Sequence, residues 1–144
     1  MENYTLLKQI QKLIKLGQYD EAARSFIEST KSTIDIEFLK HDKYFKDDIE
    51  KRDIYNITIS RDKRKMVFTF GQSLVNKGVK PSFYDILACL EKSEYQDFND
   101  FCLSFGYDND SIKALEIFEA CKKQYQDLQK LYTDFEIGIL QEIQ

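Results

Sequence analysis

From Thr5 to Leu16 the apolar residues fall at Leu6, Ile10 and Leu13, with Leu7 and Ile14 beside them, a spacing of three and four that lays one stripe along a helix. Gly17 supplies the stop. A second helical pattern runs from Tyr19 to Thr30, and the period then changes. In TIDIEFLKH (Thr33 to His41), Ile34, Ile36 and Phe38 alternate with Asp35 and Glu37, the two-residue period of a half-buried strand. DIYNITIS (Asp53 to Ser60) sets Tyr55, Ile57 and Ile59 on one face and Ile54, Asn56, Thr58 and Ser60 on the other. KMVFTFG (Lys65 to Gly71) continues the β-branched and aromatic pattern after the polar break RDKR, so these last two strands read as a hairpin.

Beyond Gly71, Gly78 and the sole proline, Pro81, everything is helical in pattern. Ser82 is a good N-cap for a helix bearing Phe83, Ile86, Leu87 and Leu90. A short aromatic helix is predicted around Tyr95 to Phe105, a long one from Asn109 to Tyr132, and a last one from Asp134 to Ile143. The predicted fold is α+β: a small three-stranded antiparallel sheet packed by an N-terminal helical hairpin and by C-terminal helices. At 144 residues and 42% apolar, the chain is expected to form one domain. Within it, residues 1–31 are the helical hairpin, 32–80 the β region and 81–144 the helical region. The junction LGQYDEAARSF has the Gly, Tyr, Ala and Phe spacing of a tetratricopeptide helix pair. No second copy of that roughly 34-residue unit follows, which points to a lone hairpin and not an array.

Charge changes the picture more than composition does. Residues 1–60 carry 10 basic and 11 acidic side chains, residues 61–80 carry 6 and 1, and residues 81–144 carry 5 and 13. A cationic middle followed by an acidic C-terminal half bears on the choice of partner. The densest basic cluster is Arg61, Lys63, Arg64 and Lys65 at the predicted hairpin turn, with Lys77 and Lys80 further on. These four are the candidate partner-binding residues. They could meet phosphates, with Tyr55, Phe68 or Phe70 as stacking faces, or dock on an acidic protein surface; conversely, the acidic C-terminal helices could occupy a protein groove meant for nucleic acid.

The catalytic and metal chemistries are poorly served. YDNDS (Tyr107 to Ser111) resembles the opening of a calcium loop, but Ile112 and Lys113 stand where a ligand and the turn glycine are needed. The stretch reads instead as helix punctuation, with Gly106 ending one helix and Asp108 or Asn109 capping the next. His41 is the sole histidine and has no nucleophile motif tied to it. The carboxylates Asp42, Asp47, Asp48, Glu50 and Asp53 are interleaved with Lys43, Lys46, Lys51 and Arg52, a self-compensating mixture. Cys89, Cys102 and Cys121 are odd in number, at spacings that suit buried thiols better than a disulfide framework or zinc site. The expectation is therefore no enzyme, no metal and no cofactor. No apolar run approaches the roughly 20 residues of a membrane span, and lysines interrupt the N-terminal apolar residues, so the expected location is cytosolic and off the membrane.

From Ile34 onward the ordered series KYF, RDIYNITISR, FTFGQS, KPSFYDILACL, FNDFCLSFGYDNDSIKA and LQEIQ resembles a family of small phage and prophage proteins, over roughly three-quarters of the chain. Residues 1 to about 31 lie outside the resemblance. It implies an accessory protein acting in the host cytoplasm by stoichiometric binding, an inhibitor of the anti-CRISPR or other anti-defence kind, with a host defence protein or ribonucleoprotein complex as partner. The alternative is a phage nucleic-acid-binding accessory protein that uses the basic β-hairpin.

Overall fold

Helix α1 (Asn3–Lys15) turns its predicted stripe inward: Leu6 and Ile10 are buried, with Leu7, Leu13 and Ile14 packed against them. Gly17 has a φ of +76°, in the left-handed region where a side chain costs strain, and its amide closes back on the Ile14 carbonyl at 3.0 Å. The reversal lays α2 (Tyr19–Ser29) against α1, where Ala22 and Ala23 are fully covered and let the helices approach while Phe26 fills the space beyond. The computed structural model describes residues 3–43, 51–73, 80–90 and 97–144.

Lys31, also left-handed at φ 57°, turns the chain from α2 directly into β1 (Ser32–Lys43). With β2 (Lys51–Arg61) and β3 (Arg64–Ser73) it forms an antiparallel meander in the order β1-β2-β3. The register aligns Ile34, Ile59 and Met66, then Ile36, Ile57 and Phe68, then Phe38, Tyr55 and Phe70. Paired residues share a face, so these rows make one apolar surface. Thr33, Asp35 and Glu37 with Ser60, Thr58 and Asn56 and then Lys65, Val67 and Thr69 make the opposite, polar one. A bulge between Phe38 and Lys40 shifts the β1 register by one residue at Leu39.

The apolar sheet face joins α1, α2 and three further elements in one core. Helix α3 (Phe83–Ala88) opens with the predicted Ser82 cap, completed as a capping box by Asp85, and buries Ile86 and Leu87. Helix α6 (Asp134–Ile143) opens with a second box, Thr133 and Glu136, and buries Ile137, Ile139, Leu140 and Ile143. It packs on α1, and Gln144 Nε2 donates to the Leu87 carbonyl at 2.9 Å, pinning its end to α3.

Helix α5 (Ile112–Leu131) belongs to two cores. Its C-terminal half gives Leu128 and Leu131 to the main core, while its N-terminal half gives Ala114, Phe118 and Cys121 to a smaller one shared with α4 (Phe98–Phe105). In that second core Phe101 is fully buried, its ring 5.1 to 5.6 Å from those of Phe105, Tyr107 and Phe118. Midway, α5 runs beside β3, with Ala120, Lys123, Gln124 and Asp127 facing Val67 and Thr69 across a groove of about 240 Å³. At 20 residues α5 is about 30 Å long, and its two halves serve different cores, α4 with the N-terminal half of α5 making the acidic arm. The α+β architecture with a three-stranded antiparallel sheet matches the expectation from sequence.

Candidate interaction surfaces

The basic turn is built by Arg61, Asp62, Lys63 and Arg64, closing β2 onto β3 with Asp62 at a left-handed φ of 56°. The sequence offers these cations to a partner; the fold uses two of them itself. Arg61 donates Nη1 and Nη2 to Glu136 Oε1 and Oε2 at 2.6 and 2.8 Å, a two-pronged pair, and Nη1 also reaches the Leu131 carbonyl at 3.0 Å. Its guanidinium lies 5.4 Å from the centre of the Tyr132 ring. Arg64 donates to the Lys130 carbonyl at 2.6 Å and to Asp62 at 3.2 Å. Carbonyls 130 and 131 end α5, where no further helical turn supplies donors and the helix dipole is negative. Two arginines on a β-turn thus cap a helix from another part of the chain.

Electrostatics at this corner follow from burial and pairing. The hydrogen bond to Glu136 raises Arg61 above its ordinary value, against the opposing effect of burial. Burial pushes the Glu136 carboxyl up, but Arg61 and the donors of Thr133 outweigh it and hold the group below the usual carboxylate range. Tyr132 is raised by burial, although its hydroxyl shares a 2.8 Å hydrogen bond with Ser32 Oγ, which in turn meets Thr30 Oγ1 at 2.8 Å. Arg61 is therefore a structural residue more than a contact. Lys63 and Lys65 are exposed, as is Lys80; Lys77 lies outside the described residues. Tyr55 and Phe68 are buried and Phe70 is half-buried, so these rings belong to the core and not to a stacking platform.

The acidic half forms a surface of a different kind. Between Asp97 and Glu119 the exposed charges are Asp97, Asp100, Asp108, Asp110, Glu116 and Glu119, against Lys113 alone. Asp97 caps α4 through a 3.1 Å bond from the Asp100 amide, Gly106 ends it at φ 73°, and Ser111 caps α5 through a 3.2 Å bond from the Ala114 amide. YDNDS is punctuation, but the cap falls on Ser111 and not on Asp108 or Asn109, leaving both acids of the loop exposed. Leu103 on α4 and Ile112 on α5 are 83% and 77% exposed, unusual values for aliphatic side chains.

A depression of about 450 Å³ lies at the base of this loop, lined by Asn99, Cys102, Leu103, Tyr107, Asp108 and Asn109. Burial, and secondarily Asp108, raise the Cys102 thiol, which keeps it protonated and a poor nucleophile at neutral pH. All three cysteines are free thiols, Cys102 and Cys121 buried and Cys89 half-buried. Among the described residues no group of His, Cys, Asp and Glu could hold a metal ion, and no helix is long and apolar enough to cross a membrane. The His41 side chain and residues 44–50 of the mixed charged run lie outside the described residues; Asp53 is buried on the inner sheet face. No protein family, curated protein or solved structure matches the chain.

Proposed function

We propose that the protein acts by stoichiometric binding, as an inhibitor of a host macromolecule of the anti-CRISPR or other anti-defence kind, with the acidic α4–α5 arm as its contact surface. The observation that carries this reading is the run of exposed carboxylates along the arm, set on a small aromatic core and flanked by exposed Leu103 and Ile112. Fixed carboxylates on a firm support suit a cationic surface, such as a groove on a defence protein or ribonucleoprotein complex that otherwise receives nucleic acid. The exposed aliphatics add contact area of the kind that fills pockets at the centre of an interface. The basic hairpin is the weaker candidate, because Arg61 and Arg64 already serve α5 and α6.

The test is affinity purification of the tagged protein from defence-bearing cells, with and without nuclease. It is repeated with Asp108→Lys/Asp110→Lys/Glu116→Lys and with Lys63→Glu/Lys65→Glu. A stoichiometric protein partner that survives nuclease and is lost only with the arm variant supports the reading. Recovery of nucleic acid, abolished only by the hairpin variant, replaces it with the nucleic-acid-binding alternative.

A further inference from the structure

Strand β1 lies at one edge of the sheet and, among the described residues, has a strand on one side only, whereas α5 runs beside β3 at the other. Such an edge presents a row of backbone donors and acceptors to any strand that can align with it. Folded proteins commonly blunt an edge with charge or with a bulge, and β1 has both, Glu37 and Lys40 on either side of the bulge at Leu39. The two charges are opposite in sign, so they repel a generic charged strand less than they select a matching one. They also share a face, since Glu37 pairs with Asn56 and Lys40 with Ile54 on the polar side of the sheet. Between them Phe38 and Leu39 are 48% and 47% exposed.

From this placement we infer that β1 is an interface for a second copy of the same chain, joined edge to edge in antiparallel fashion about a two-fold axis at Phe38. With Leu39 as the extra residue on each strand, that register sets Glu37 of each chain beside Lys40 of the other, twice over, and brings the two exposed apolar pairs together. A two-fold contact must be complementary to itself, and this segment satisfies that condition in both charge and hydrophobicity. The inference is independent of what the acidic arm binds.

Sedimentation velocity on the full chain over a range of concentrations tests it, with circular dichroism to establish that each variant is folded. The wild-type chain is expected to dimerise reversibly. Glu37→Lys and Lys40→Glu each place like charges in both symmetric pairs and are expected to raise the dissociation constant about tenfold or more. Mixing the two variants restores opposite charges at both ends, and the double variant Glu37→Lys/Lys40→Glu restores them within one chain; both should recover the wild-type constant. A wild-type monomer at all concentrations overturns the proposal, as does a dimer indifferent to the single reversals or not recovered by mixing.

Discussion

Arg61 and Glu136 stand 75 residues apart in the chain and are joined by two parallel hydrogen bonds of 2.6 and 2.8 Å, with the carboxylate side chain only 7% exposed. Truncation of one partner leaves a buried charge with no counterpart. Arg61→Ala is expected to cost about 2–4 kcal/mol in chemical denaturation. Arg61→Lys should recover little of it, because an ammonium cannot reproduce the two-pronged geometry. A lysine variant as stable as wild type would show the fork to be dispensable.

The same carboxylate sets an acid limit. Glu136 is held below its ordinary value in the folded chain, so it binds a proton less readily when folded than when unfolded. Its contribution is fully present above the unfolded value of about 4.3 and is lost as pH falls through the lower folded value. Urea midpoints measured from pH 6 downward should therefore decline below about pH 4.5, and Glu136→Gln should flatten that decline while lowering the plateau. An equal slope in both proteins would assign the acid sensitivity elsewhere.

Lys31 pays a backbone penalty at φ 57°, and its exposed side chain is not the reason for the turn. Lys31→Gly removes the left-handed strain and is expected to raise stability by up to about 1 kcal/mol, net of the freedom glycine gains when unfolded. Thermal unfolding checks the sign.

Phe101 is the centre of the arm. Phe101→Ala removes a fully buried ring at a cost of about 3–5 kcal/mol if the arm and the main core unfold together. Because among the described residues the two cores share only α5, the expected result is local: hydrogen exchange accelerates in residues 98–118 while Ile57 and Ile59 remain protected. Uniform acceleration would make the arm part of a single cooperative unit.

How far the chain could be read depended on whether the deciding interaction was local. Helix α6 was legible to the residue from its helical pattern alone, and the Thr133 and Glu136 capping box that fixes its start is equally local. The two faces of β2 were legible because strand alternation is a property of neighbours. The start of α5 was not: Asp108, Asn109 and Ser111 are all competent caps, and only the turn after Gly106 selects Ser111. The basic turn was legible only in part, for a stronger reason. Four cations in five positions look like a surface built for a partner, but Arg61 and Arg64 find theirs 66 to 75 residues away, at a helix end that no local pattern connects to them. The acidic arm was visible as charge, and its separate aromatic core emerges only when Phe101 and Phe118 are brought together.

Helix α1 packs on α6, and Ile10 and Ile143 lie in one core, so during synthesis α1 waits for an element made more than a hundred residues later. Until α6 emerges, the Arg61 guanidinium lacks the Glu136 carboxylate and the inner side of the sheet, with Ile57, Ile59 and Phe68, lacks part of its cover. Folding during synthesis is thereby postponed: from the completion of β3 until α6 emerges the growing chain carries an incompletely covered, adhesive sheet, and the ten residues of α6 act as the latch that closes it.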